Sequence, residues 1–167
     1  MPVVANDEIF RSAGCKIYVG TSVAIPFTTD AGALTAFKAD AFTEIKNVQD
    51  IGDFGDEAEE IKFTSLGDGR VRKVKGARDA GDFEITVGRN PTDPGQIAAR
   101  SAANANVAYN IKVELTDAQT GGTGNNTALY FRALVSSARI AIGSISSTTL
   151  EKMKLSITSK IIPDVAA

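Results

Sequence analysis

Gly81-Asp82-Phe83-Glu84-Ile85-Thr86-Val87-Gly88-Arg89 is the stretch that decides the fold. Phe83, Ile85 and Val87 fall on one side of an extended chain, flanked by Glu84, Thr86 and Arg89. Alternation of this kind has the period of a half-buried strand, not of a helix. The same signal recurs outward along the chain. Glu59 to Leu66 puts Ile61 and Phe63 on one face and Lys62 and Thr64 on the other. Ile111, Val113 and Leu115 alternate with Lys112, Glu114 and Thr116. Leu129, Phe131 and the run to Val135 form another strand, and Ala138–Ile145 and Leu150–Ile162 are read as the last two. Cys15–Val19, stopped by Gly20, and Phe42–Val48, whose burial pattern is ambiguous, bring the total to about eight.

One helix interrupts them, at 93–105. Asp93 is a good N-cap and Pro94 suits the first helical position. The segment Gly95-Gln-Ile-Ala-Ala-Arg-Ser-Ala-Ala103 offers a small apolar face, and the pattern fades at Asn104 to Asn106. Gly67-Asp68-Gly69, Asp79-Ala80-Gly81 and Thr120-Gly-Gly-Thr-Gly-Asn-Asn126 are turn chemistry. The expected architecture is mainly β: a β-sandwich or partly open barrel of about eight strands with one flanking α-helix. Around it lie four less regular segments, an N-terminal arm at 1–13, a long interaction loop at 20–40, a charged loop at 66–81 and a C-terminal arm at 162–167. The arms are expected to order on assembly. The 20–40 segment is long for a connection and carries Phe27, Leu34 and Phe37 to bury.

With 167 residues, 43% hydrophobic and 23% charged, the chain suits one domain with a real core. The formal net charge is -2, which gives no general attraction to nucleic acid or anionic membranes. Cys15 is the only cysteine, so no intrachain disulfide can form, and there is no histidine. Triads, His-ligated zinc and the usual proton shuttle are therefore excluded. The first residues lack the basic and apolar regions of a signal peptide, and no apolar run is long enough to span a membrane. Aromatic residues are 7% with no tryptophan, which argues against a monomeric β-sandwich module that binds sugar or protein through exposed rings.

Two charge runs stand out. Asp50, Asp53, Asp56, Glu57, Glu59 and Glu60 form an acidic stretch with no base among them, in a spacing that does not fit an EF-hand loop. Arg70, Arg72, Lys73, Lys75 and Arg78 form a basic run with no acid inside it and no interleaved aromatic for base stacking. The two runs neutralise each other either across a hairpin or between subunits; phosphate binding is a third reading. Asp53-Phe54-Gly55 spells a kinase magnesium motif by chance, since the other kinase elements are absent. Gly121-Gly-Thr-Gly124 lacks the Lys-Ser/Thr of a phosphate loop. No nucleophile has a base or an oxyanion cradle, so no catalytic residue, metal or cofactor is expected.

From Phe42 to Ala103 the chain resembles the phage tail tube (major tail) protein family of long-tailed bacteriophages and gene transfer agents. The resemblance rests on Val48-Gln-Asp-Ile-Gly-Asp-Phe-Gly55, with Gly52 and Gly55; on Phe63-Thr-Ser-Leu66; on Gly76-Ala-Arg-Asp79-Ala-Gly81; and on Asp93-Pro-Gly95-Gln96, in that order. It implies a β-sandwich subunit without catalytic activity. Six copies would form a ring, rings would stack into a hollow tube, and double-stranded DNA would pass through the lumen without specific binding. It also implies partners in the tail: a tip or initiator, a terminator, a tape measure and, in contractile tails, a sheath. The setting would be the virion tail, assembled in host cytoplasm, with no membrane partner. A tube protein of a type VI secretion or bacteriocin-like machine is the alternative. Many relatives carry an added immunoglobulin-like domain, for which 167 residues leave no room.

For subunit contacts the candidates are Arg70, Arg72, Lys73, Lys75 and Arg78 against Asp53, Asp56 and Glu57 of a neighbour, together with Phe27, Leu34 and Phe37. The loops 20–40 and 66–81 would make the axial contacts.

Overall fold

A computed structural model describes residues 9–118 and 125–165. The glycine-rich tip at 121–124, most of the N-terminal arm and the last two residues lie outside the described residues. In chain order the elements are β1 (Lys16–Val19), α1 (Asp30–Lys38), β2 (Thr43–Ile45), β3 (Val48–Asp50), β4 (Glu57–Thr64), β5 (Val71–Asp79), β6 (Asp82–Gly88), α2 (Pro94–Asn104), β7 (Tyr109–Glu114), β8 (Ala128–Ala141), β9 (Leu150–Ile157) and β10 (Ile162–Asp164).

Eight strands form one antiparallel sheet in the order β2-β1-β7-β8-β9-β6-β3, with β10 also paired to β8. Its two end strands, β2 and β3, are separated in sequence only by Lys46 and Asn47, and Asn47 has φ 60°. The sheet must therefore curl until its ends meet at that bend, giving two facing layers that do not close into a barrel. Alternation fills the space between them. Phe83, Ile85 and Val87 of β6 meet Met153 and Leu155 of β9, Phe131 and Val135 of β8, Ile111 and Val113 of β7 and Ile17 and Val19 of β1, all buried. Phe54 closes one end, its ring 5.1 Å from Phe83 and 5.5 Å from Phe131. The mainly β, partly open architecture with a flanking helix is the one the alternation predicts.

Helix α2 is held against this core by the residues that start it. Asp93 caps it, its Oδ2 accepting the Gln96 N–H at 3.0 Å and the Lys46 N–H at 3.3 Å. A Cβ on Gly95 would collide with the Glu44 carbonyl and the Ile45 backbone, so glycine lets helix and strand approach backbone to backbone. Gln96 is fully buried. Its Nε2 donates to the Lys46 carbonyl at 3.1 Å and the Gly88 carbonyl at 2.9 Å, and its Oε1 accepts from the Asn90 N–H at 2.8 Å and Arg100 at 3.1 Å. One side chain thus ties the β2–β3 bend, the end of β6 and the helix together. Arg100 donates through Nε to both oxygens of buried Glu151, each at 3.0 Å, which fixes the helix to β9.

Several segments differ from the sequence reading. There are two helices and ten strands among the described residues. The long interaction loop at 20–40 contains α1, because Thr29 caps it, accepting the Gly32 N–H at 3.1 Å, and Ala33 and Phe37 sit at i and i+4 on one face. That face covers Tyr130, Ala128, Ile162 and Ile25 in a second, smaller core. Ion pairs Lys38–Asp164 at 2.8 Å and Asp30–Lys160 at 2.7 Å bind the helix to the end of the chain. The C-terminal arm therefore begins as a strand: Ile162 is buried, and residues 162–164 pair with β8. The segment 129–135 and the first part of 138–145 join into the single long strand β8, through a register shift between Val135 and Ser137, and the strand ends at Ala141, so residues 142–145 lie outside it. The charged loop at 66–81 is mostly strand β5.

Candidate assembly surface

Strands β4 and β5 form a two-stranded sheet of their own, and every residue in it is exposed or half-exposed. Its register explains why a charged segment forms a strand. Residues directly opposite share a face. Ile61 faces Val74, and Phe63 faces Arg72. Apart from Arg72 this face is apolar, with Phe63 63% and Val74 60% exposed, and the Ile61 side chain lies against Gly76. On the other face Lys62 stands opposite Lys73, a repulsive pairing that Glu60 relieves by reaching Lys73 at 3.1 Å and Lys62 at 3.4 Å.

The tip is a structured turn. The Gly69 N–H donates to the Ser65 carbonyl at 3.0 Å, and the Arg70 N–H to Asp68 Oδ1 at 3.2 Å. Asp68 also binds Arg72 at 3.0 Å. The Arg70 N–H, followed by the Arg72 guanidinium, holds the Asp68 carboxyl below its ordinary range. On this turn Leu66 is displayed entirely to solvent. At the other end, Asp79 Oδ1 accepts the Gly81 N–H at 3.0 Å, turning the chain into β6.

Charge is divided along the hairpin. From Lys62 to Lys75 there are Lys62, Arg70, Arg72, Lys73 and Lys75 against Asp68 alone. From Asp50 to Glu60 there are six acids and no base. The tip is therefore basic and the root acidic. The two runs neutralise each other across the hairpin only in part, through Glu60 and Lys73. Among the described residues Arg70, Lys75 and Arg78 enter no ion pair, nor do Asp53, Asp56 and Glu57.

Beside the root lies a groove of about 510 Å³, walled by 12–15 and 48–54 and floored by Val113 and Leu115. Val48, Ile51, Phe54 and Leu115 are half-buried apolar side chains that pack on the core from below. Asp50 and Asp53 stand exposed on its rim. Gly52 at φ 75° turns this wall, and a Cβ there would meet the Glu84 carbonyl at 2.8 Å.

The sequence-predicted residues fall into three groups. The basic run and Asp53, Asp56 and Glu57 are exposed: Arg70, Arg72 and Lys73 lie toward the tip of the hairpin, Lys75 stands opposite Glu60, and Arg78, opposite Ala58, sits at the root with the acids. Phe37 is fully buried and Leu34 half-buried under α1. Phe37 therefore belongs to the intrachain core and is withdrawn from the contact candidates: its ring stacks on Tyr130 at 5.6 Å. Phe27 remains 42% exposed, edge-on to Phe37 at 5.9 Å. Of the signature residues, Gly52, Asp79, Asp93, Gly95 and Gln96 maintain turns and close packing, whereas Leu66 is presented outward. The apolar face of β5 escaped the sequence reading because Val71 and Val74, three apart, point to opposite faces and leave no period of two.

A family model described as phage tail tube protein, TTP, matches residues 17–160. No curated protein matches the sequence. Among solved structures, a chain of the sheath/tube terminator of the PVC extracellular contractile injection system superposes with TM-score 0.67 at 13% identity, over 96% of this chain and 100% of that one. A chain of the anti-feeding prophage baseplate gives 0.66 at 10% identity, over 95% of each. The SPP1 tail tube gives 0.63 at 13% identity, over 93% of this chain and 78% of that one. These likenesses concern the fold; the family match, running from β1 to beyond β9, is what decides membership. The chain belongs to the phage tail tube protein family.

Proposed function

We propose that six copies of this chain form a ring, that rings stack into a hollow tube, and that double-stranded DNA passes through the lumen. The β4–β5 hairpin carries this reading. An isolated two-stranded hairpin is marginal in water, and this one leaves Ile61, Phe63, Leu66, Val71 and Val74 uncovered. Such a surface is stabilised by a neighbour. Within a ring the contact repeats by rotation and closes; along the axis it repeats without closing. Strand β8 offers an edge for the ring. Its residues 134–141 pair with β9 on one side, while β7 stops opposite Ala133. An open edge of that length invites pairing with another chain.

The outer face of β6 and β9 suits a wall along which DNA slides. Lys154 is paired with Asp82 at 2.8 Å and Lys152 with Glu84 at 3.5 Å, so its bases are neutralised rather than offered to phosphates. Tail partners in this reading are a tip or initiator, a terminator, a tape measure and, in a contractile tail, a sheath, with assembly in host cytoplasm. Charge reversal at the tip, Arg72→Glu with Lys73→Glu, tests the role of the hairpin. It is expected to abolish sedimentable tubes while leaving the monomer folded by circular dichroism. Normal tubes from the double variant would overturn the assignment.

A further inference from the structure

We infer that the hairpin tip of one copy docks in the root groove of another, with Leu66 seated on Val48, Ile51, Phe54 and Leu115 and the tip bases facing Asp50 and Asp53. This rests on the tube reading and names the receptor for its hairpin. Three observations carry it. Leu66 is fully exposed on a hydrogen-bonded turn that holds it outward. The groove is floored by apolar side chains and rimmed by acids. Arg70 at the tip and Asp50 and Asp53 at the groove make no ion pair among the described residues.

A copy cannot satisfy itself in this way. Strand β4 starts just after the groove wall, and its eight residues at roughly 3.3 Å each put Leu66 about 25 Å from the root. Tip and groove are different surfaces, so the contact is head-to-tail: each copy gives one tip and receives one. That geometry propagates a stack and has no reason to stop at a dimer.

Cys15 lines the groove and is the only cysteine in the chain, which makes it the probe. Gly67, next to Leu66, has open room for a side chain, the nearest atom to an added Cβ being Ser65 Oγ at 3.7 Å. Chains carrying Cys15→Ser with Gly67→Cys are mixed with an excess of wild type, allowed to assemble, oxidised and run on a denaturing gel. Docking predicts a disulfide-linked dimer whose peptide map joins residue 67 of one chain to Cys15 of another. Replacing the wild-type host by Cys15→Ser removes that dimer. Reversing the rim in the host, Asp50→Lys with Asp53→Lys, reduces it at least tenfold, and Arg70→Glu with Arg72→Glu in the tip-bearing chain restores it. Tubes that incorporate the variant and hold no such link overturn the docking while leaving the tube reading standing. Wild-type protein that forms neither rings nor tubes retires the tube reading, and the docking with it.

Discussion

Phe63 and Phe83 are both phenylalanines on alternating strands, and their fates on mutation should be opposite. Phe63 is 63% exposed on β4, whereas Phe83 is 4% exposed in the main core. Burying a whole phenylalanine side chain is worth about 1.5–3 kcal/mol. Roughly two-thirds of that, about 1–2 kcal/mol, is still to be gained by Phe63 when a neighbour covers it. Phe63→Ser should therefore change monomer stability by no more than about 0.5 kcal/mol, yet raise the critical concentration for assembly roughly 5- to 30-fold. Phe83→Ala should remove about 3–5 kcal/mol from the monomer itself, because the ring packs at 5.1 Å on Phe54 and 5.8 Å on Phe131. Urea denaturation of dilute protein reads the first quantity. Light scattering across a concentration series reads the second. The reasoning fails if Phe63→Ser assembles at the wild-type threshold, or if it destabilises the monomer by more than about 2 kcal/mol, a loss expected only of a side chain already buried.

Two further predictions concern the parts that hold the surface in place. Gln96→Leu keeps the volume but strips the Lys46 and Gly88 carbonyls and the Asn90 N–H of their partner. At roughly 1–3 kcal/mol for each group left unsatisfied, the loss should be at least about 3 kcal/mol in urea unfolding. Asp40 anchors the start of the 20–40 segment. Burial pushes its carboxyl up, but hydrogen bonds from the Thr21 hydroxyl, the Asn110 amide and the Thr21 and Ala41 N–H groups outweigh this and hold it below its ordinary value. A carboxyl lowered in the folded state stabilises above its unfolded pKa, and that contribution disappears as pH falls through the folded value. The stability gap between wild type and Asp40→Asn should therefore be constant above about pH 5 and shrink as pH falls below the ordinary aspartate value of about 3.9. A gap independent of pH would contradict it.

The sequence reveals the core more readily than the surface, for a physical reason. Burial imposes a period, so Phe83, Ile85 and Val87 announce their strand, and Asp93 followed by Pro94 announces α2. Strand β5 has no buried side. Its Val-Arg-Lys-Val-Lys stretch at 71–75 satisfies only its partner strand and solvent, and composition alone cannot separate it from a loop. Helix α1 was hidden for a different reason. Gly32 sits in its first turn, and its short apolar face, Ala33 and Phe37, covers a patch made largely by β8 and β10, which are distant in sequence. Phe37 was legible as a residue that must be buried; whether by its own chain or by a neighbour was not. The charge runs were legible as complementary, but the placing of Arg70, Arg72 and Lys73 toward the tip, with Arg78 back at the acidic root, follows from the register of Thr64 with Val71 and Ala58 with Arg78.

We propose that an exposed hairpin and an open sheet edge make this chain a self-associating tube subunit. Negative-stain electron microscopy of the purified protein across a concentration series, with light scattering on the same samples, tests it most directly. The account predicts six-fold rings at lower concentration and hollow tubes of uniform width above a threshold. A protein that stays monomeric at every concentration, or that aggregates without a lumen, would contradict it.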